Sequence, residues 1–317
     1  MAASADTKRR ASHAGTWYSE SLSNLSVELD SWLATATVTR NPTVRAIIAP
    51  HAGYGYSGLA AAFAYGTVDP HTIKRVFILG PSHHIYIEGC ALSEFTKFQT
   101  PLGDLSIDTD IVAQLHATGH FQSLDMQADE DEHSIEMHLP YIHKIMSARQ
   151  DPYTIVPILV GSSRPQNQHQ YAELLAPYLA DPSNLFVVSS DFCHWGRRFD
   201  YTFRGDPSMP IHESIEKVDR EAMALIEKGD PAEFDAYLKR TRNTICGRSP
   251  IGILLHTLQC VKEAARERKG GIPTINTTTA LRVDTKFTHY SQSSQVTDER
   301  ESSVSYASAC VQIYPSA

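Results

Sequence analysis

The stretch Val44-Arg45-Ala46-Ile47-Ile48-Ala49-Pro50-His51-Ala52-Gly53-Tyr54 is a nearly unbroken apolar run that stops at a proline, a histidine and a glycine. A strand covered on one face alternates apolar and polar residues, whereas one covered on both faces reads as continuous Val, Ile and Ala. Val44 to Ala49 therefore predicts a fully buried strand. Pro50 and Gly53 turn the chain at its carboxyl end and leave His51 at the rim. Working outward, Arg75 to Leu79, Thr154 to Val160 and Asn184 to Ser189 have the same character. Between them lie segments with helical spacing of apolar residues: Leu22 to Leu33, Ser57 to Tyr65, Ile111 to Thr118, Ser134 to Met146, His169 to Leu179, Ser214 to Ile226 and Pro250 to Ala265. Alternation of buried strands and helices predicts an α/β protein with a mainly parallel central sheet flanked by helices. Ser302 to Tyr314 reads as a late strand, and the Gly/Pro/Thr-rich stretch between Arg266 and Thr285 as a surface loop.

With 317 residues, 42% hydrophobic and 20% charged, the chain has ample material for a buried core. No linker of Pro, Ser or Gly divides it. The expectation is a flexible amino terminus over residues 1–10 followed by a single domain over residues 11–317. A net charge of −8 with scattered basic residues gives no electrostatic footprint for nucleic acid or an anionic membrane. The sequence has no 18-residue apolar run, and Met1 to Arg10 lacks the apolar centre of a signal peptide, so membrane insertion is not expected. The expected location is the cytoplasm, with the nucleus as alternative. The five cysteines form no CxxC pair, which argues against a disulfide framework or a zinc knuckle.

Two further strands repeat the arrangement at His51. Val76 to Gly80 leads into Pro81, Ser82, His83 and His84, and Leu185 to Ser190 into Asp191, Phe192, Cys193, His194 and Trp195. Ligands of open parallel sheets bind beyond the carboxyl ends of the strands, so these three turns converge where chemistry is expected. Any one histidine can have a structural role; three at strand ends point to a transition metal. The acids of Asp129 to Leu139 (DEDEHSIEMHL) are read as helix-capping groups, and His133 as an acid/base at the edge of the crevice. His138, five residues on, projects elsewhere. Cys246 precedes a helix started by Pro250 and adjoins Arg248; such a thiol can be acidified into a metal ligand or nucleophile, or be a small buried hydrophobe.

The motifs PHAGY (Pro50 to Tyr54), LGPSHH (Leu79 to His84), DEDEHSIEMHLP (Asp129 to Pro140), VVSSDFCHWG (Val187 to Gly196) and NTICGR (Asn243 to Arg248) occur in order, after ASHAGTWY from Ala11. Together they resemble the Memo family, mediators of receptor-tyrosine-kinase-driven cell motility. The resemblance implies a fold similar to LigB-type class III extradiol dioxygenases, which bind non-haem iron through two histidines and a carboxylate. It also implies iron or copper held by His51, His83 and Cys246, the cysteine replacing the carboxylate. Asp191 and His194 then fall beside the metal, as orienting or proton-transferring groups. A thiolate in that place disfavours ring cleavage and favours redox chemistry or metal handling.

Three functions are open at this point. One is a metal-dependent oxidoreductase. Another is a non-catalytic adaptor whose crevice takes a phosphotyrosine-containing peptide or a signalling receptor. The last is a hydrolase using Ser189, Ser190 or Cys193 with His194, which ranks lowest because no GxSxG elbow is present.

Overall fold

The computed structural model describes residues 6–267 and 281–315. The amino-terminal half runs β1 (Lys8–Arg9), α1 (Leu22–Thr35), β2 (Val44–Ala49), α2 (Tyr54–Tyr65), β3 (Arg75–Pro81), β4 (Cys90–Leu92), β5 (Lys97–Phe98), β6 (Leu105–Ser106), α3 (Thr109–Ala117) and β7 (Phe121–Ser123). Three helices follow: α4 (Met126–Asp131), α5 (His133–Glu136) and α6 (Leu139–Met146). The rest comprises β8 (Thr154–Val160), α7 (Pro165–Ala180), β9 (Asn184–Ser189), β10 (His194–Trp195), α8 (Ile211–Lys228), α9 (Pro231–Thr241), α10 (Arg248–Glu267), β11 (Leu281–Gln292) and β12 (Ser303–Pro315).

The four continuous apolar runs lie side by side in the order β2-β9-β3-β8, all parallel. Successive side chains of a strand face opposite ways, and both faces are covered. Phe77, Leu79, Phe186 and Val188 point into one apolar cluster with α7, α8 and α10; Val76, Ile78, Leu185 and Val187 point into another with α1, α2 and α6. Stacking of Phe77 on Phe186, ring centres 4.6 Å apart, ties β3 to β9 within the first layer.

The sheet as a whole is mixed rather than mainly parallel. On one side β12 runs antiparallel to β2, and β10 and β11 run antiparallel to β12; on the other, β4 runs antiparallel to β8. Buried apolar runs carry no information about direction, and a hairpin such as β11-β12 forces an antiparallel pair whatever the central strands do.

Three further expectations change. The helix read over Ser134 to Met146 is broken between α5 and α6, because Pro140 has no N–H to continue the first helix and instead opens the second. The amino terminus is not loose through residue 10: β1 pairs with β5, and Arg9 is buried. Helix α9 and strand β11 were not expected. Most of the stretch read as a surface loop falls on residues 268–280, outside the described residues.

One glycine ties the fold to the site. Gly80, at the end of β3, lies against α5, where a Cβ would come 2.6 Å from Ser134 Oγ and 2.7 Å from Ile135 Cγ1. Gly80→Ala is therefore expected to push α5 off the sheet and to lower stability by about 1–3 kcal/mol, measured as a shifted urea midpoint; an unchanged midpoint would show that α5 gives way freely.

Candidate metal centre

The chemistry-bearing residues stand where three adjacent parallel strands stop. The register pairs Ala49 with Ser189 and Leu79 with Val188, so the turns after β2, β9 and β3 emerge side by side and carry His51, Asp191 and His83. His194 follows on β10, and α5 brings His133 across the top. These five residues, with Trp17, Tyr56, Arg198 and Phe199, line a pocket of about 530 Å³.

Three of the four rings, those of His51, His83 and His194, are held through Nδ1, while the buried Nδ1 of His133 has no hydrogen-bond partner. The Ser189 hydroxyl donates to the Ser134 carbonyl at 2.7 Å, so it can only accept from His51 Nδ1 at 2.6 Å. His83 Nδ1 donates to Glu132 Oε1 at 2.9 Å, and His194 Nδ1 faces the Phe192 and Thr244 carbonyls at 3.0 and 3.1 Å. In all three rings Nδ1 faces the acceptor and Nε2 is the nitrogen left over, which in the neutral ring carries the lone pair that a metal ligand requires. Burial, then repulsion from His83 and His133, pushes His51 well below the usual histidine range, and burial followed by His83 lowers His133 to about 3. Burial would raise the Glu132 carboxyl, but its hydrogen bond and charge interaction with His83 outweigh that and depress it to about 2.

Among the described residues, two trios have ligand atoms within 4.8 Å of one another: His51, His83 and His133 inside the pocket, and His84, Glu132 and His133 beside it. His133, expected to serve as an acid/base, stacks on His83 with ring centres 4.4 Å apart and stands with the candidate ligands. Cys246 is in neither trio, yet its Sγ lies 3.2 Å from His51 Nε2. The expected acidified thiol is not found. Burial, and then the charge of Asp191, push it upward, and Arg248 turns its guanidinium to the Ile245 carbonyl instead. Asp191 receives the His51 amide at 2.9 Å through Oδ1 and so pins the turn that carries this histidine.

The hydrolase arrangement is absent. Ser189 and Ser190 donate to the Ser134 and Asp191 carbonyls, Cys193 lies in an apolar cluster with Trp195 and Tyr201, and His194 bonds none of them. His138 points away, as expected, onto the Tyr65 hydroxyl at 2.8 Å.

The acids before His133 do more than cap. Glu132 caps α5, but Asp129 and Glu136 hold Arg9, which also reaches the carbonyls of Asp129 and Glu132. His13 Nδ1 and the Tyr18 hydroxyl complete the shell of Glu136, both at 2.9 Å. Asp219 on α8 does similar work on the far side, accepting from the Cys193 amide at 3.2 Å and Asn243 Nδ2 at 2.9 Å, and so joins the loops of His194 and Cys246. Reading the sequence alone missed Arg9, His13, Trp17, Glu132 and Asp219 as parts of the site. Only the ASHAGTWY motif hinted at His13 and Trp17.

An α/β sheet with a histidine pocket at the carboxyl ends of its parallel strands defines a class of candidate metalloprotein. Its particular lineage is set by comparison: residues 9–310 match the family model described as "Memo-like protein". The chain is 48% identical over 306 residues to the Xenopus laevis Protein MEMO1 and 47% over 306 residues to the Homo sapiens one, covering 96% of this chain and 98% of each relative. Against the Caenorhabditis elegans Protein memo-1 homolog it is 45% identical over 308 residues, 97% of this chain and 83% of that one. The chain belongs to the Memo family.

The buried Arg9 predicts two results. Removing one partner of a buried ion pair leaves an uncompensated charge, so Arg9→Met is expected to cost about 3–5 kcal/mol in urea denaturation at neutral pH; a loss below about 1 kcal/mol would mean that the network contributes little. Burial raises the Glu136 carboxyl, but its bonds to His13 and Arg9 prevail and lower it from 4.5 to about 2. Its stabilising contribution is thus complete above pH 4.5 and disappears as pH falls through about 2. Denaturation of Glu136→Gln across that window should show a shallower pH dependence than the parent; parallel curves would refute the assignment.

Proposed function

We propose that the chain binds one redox-active transition-metal ion, iron or copper, with His51, His83 and Cys246 as ligands. Asp191, His194 and His133 border the remaining positions and handle protons of solvent or a small substrate held there. The observation that supports this reading most strongly is the Nδ1–H state of His51 and His83, fixed by Ser189 and Glu132, which leaves both Nε2 lone pairs available. One donor spacing also suits this set. Bonds of about 2.0–2.3 Å to imidazole and thiolate ligands place neighbouring donors roughly 3–4 Å apart, and Cys246 Sγ lies 3.2 Å from His51 Nε2. His51, His83 and Cys246 together do not come within the 4.8 Å that the histidine trio does, so Cys246 has to close on His83 when the ion binds. Loss of its S–H proton to solvent turns the thiol into a ligand, which compensates for the upward push of burial.

When bound, the metal supplies Lewis acidity and a one-electron couple. The chain supplies the rest. Ser189 and Glu132 keep two rings in a single tautomer, Asp191 fixes the backbone of His51, and Trp17 and Phe199 narrow the access of water. Kinship with LigB-type dioxygenases belongs to this proposal. Ring cleavage does not, because thiolate donation and its sensitivity to oxidation work against it. Receptor-linked cell motility is the proposed setting, in the cytoplasm or nucleus.

The clustering of His133 with His51 and His83 favours a second ligand set, in which His133 replaces Cys246. For the adaptor, Arg198 at the pocket rim stacks on Phe199 at 4.5 Å and makes no ion pair among the described residues, a feature suited to a phosphotyrosine side chain.

Metal titration separates these. His51→Ala and His83→Ala are expected to lose at least about tenfold in iron or copper affinity, as removal of a ligand costs more than 1.4 kcal/mol. With Co(II) as probe, a thiolate charge-transfer band should appear in the parent and vanish in Cys246→Ser. Loss of binding in His133→Gln with the band absent throughout would establish the three-histidine set. Unchanged affinity in all the variants, with a phosphotyrosine peptide binding more tightly than its unphosphorylated form, would favour the adaptor. Iron-loaded protein is expected to give no ring-opened catechol product; turnover at about 1 per second or faster would make it a true dioxygenase.

A further inference from the structure

A second cavity, of about 610 Å³, opens on the other side of Cys246, over the carboxyl ends of the parallel strands β3 and β8. It does not include the histidines. We infer that this cavity is a binding site for a small organic phosphate.

The charge of the cavity runs against that of the molecule. The chain carries −8 overall, yet Arg242, Arg248 and Lys239 line the cavity with a single carboxylate, Asp235, which is paired to Lys239 at 2.6 Å. Neither arginine is paired to a carboxylate among the described residues. Two long helices also begin at its wall, α7 of 16 residues and α10 of 20. Helix α7 has no side-chain cap, so its first N–H groups lack that acceptor, and an anion is what such a terminus accommodates. Ser162, Ser163 and Ser249 add hydroxyls to the same wall.

Two further features of the wall are independent of the helix ends. Asn243 lines the cavity and is only 3% exposed, and its Oδ1 has no partner. Its amide orientation is fixed, because Nδ2 donates to Asp219 Oδ1 and to the Tyr237 hydroxyl, which itself donates to the Val218 carbonyl. The orphan is an unpartnered acceptor behind the cavity wall, itself closed to solvent. Arg242 ends α9 in the left-handed region, φ 53°, where glycine or asparagine is cheapest. Its side chain lines the cavity. Phe234 and Leu238 give the remaining wall an apolar surface for the body of the ligand, and the volume suits a small molecule.

The proposal is independent of whether the histidine pocket holds a metal. Its test is calorimetric titration of the full chain, metal-free, with inorganic phosphate, glycerol 3-phosphate, a hexose 6-phosphate and the corresponding neutral polyols. The expected result is saturable binding of the phosphate esters, tighter than inorganic phosphate, and none of the polyols. Arg242→Gly removes the backbone strain, so it should keep or raise the melting temperature while weakening ester binding at least about tenfold, the loss of a charge-assisted contact. Arg248→Gln should act in the same direction. No binding at millimolar ester would overturn the inference. So would equal affinity for esters, phosphate and sulfate, the behaviour of an adventitious anion, or full affinity in Arg242→Gly.

Discussion

The hydroxyl of Ser189 is the joint on which the site depends. It accepts from His51 Nδ1 and donates to the Ser134 carbonyl, linking the turn after β2, the end of β9 and the short helix α5. A hydroxyl has one proton, and a carbonyl can only accept, so the direction of both bonds follows. From that direction comes the tautomer of His51, and from the tautomer its free Nε2. The same bond sets the height of α5 above the sheet, and with it the place of His133 and of Glu132, which orients His83. Parallel pairing of β2, β9 and β3 in register makes the joint possible, because it brings the last residues of the three strands level.

Around this joint the protein keeps its charges buried in compensated groups. Arg9 lies among Asp129, Glu136 and backbone carbonyls, with its guanidinium 5.2 Å from the Phe98 ring. Stability alone is a weak reason for such a cluster, since burying charges costs about as much as their attraction returns. A better reason is specificity of placement. The short helix α5 makes few backbone bonds of its own, and a multidentate cation reaching the carbonyls of Asp129 and Glu132 fixes the chain on its amino-terminal side. The result is a pair of histidine rings mounted on strand ends and a third mounted on a segment held by ionic contacts.

The parts legible in the sequence were those whose cause is local. Continuous apolar runs located β2, β8 and β9 to the residue, and a proline with a histidine after it marked the ends of β2 and β3. His51, His83, His133, Asp191 and His194 were therefore recognisable as neighbours. The direction of β12 and β4 was not legible, because burial says nothing about polarity. Strand β11 had a signal, the alternation of Leu281, Val283, Thr285 and Phe287, but it follows a stretch whose composition reads as loop. Helix α9 had Asp230 as cap and Pro231 at its start, with too few apolar residues to display a period. Arg9 and Glu136 were illegible for a different reason: they are 127 residues apart, and neither means anything without the other.

Cys246 is where local and distant causes meet. Seen along the chain, it stands before a helix and beside an arginine, which suggests an acidic thiol. In space Arg248 turns to the cavity and the Ile245 carbonyl, the thiol is buried, and its nearest charge is Asp191. Both changes raise the cost of a free thiolate. A cation at His51 Nε2 would reverse that balance, since a positive charge 2–3 Å away outweighs the burial that disfavours the anion. The environment that makes Cys246 a poor nucleophile is therefore the one that suits a ligand, inert until its counter-ion arrives. Cys246 lines the basic cavity while its Sγ lies 3.2 Å from His51 Nε2, so this one side chain stands between that cavity and the histidine pocket.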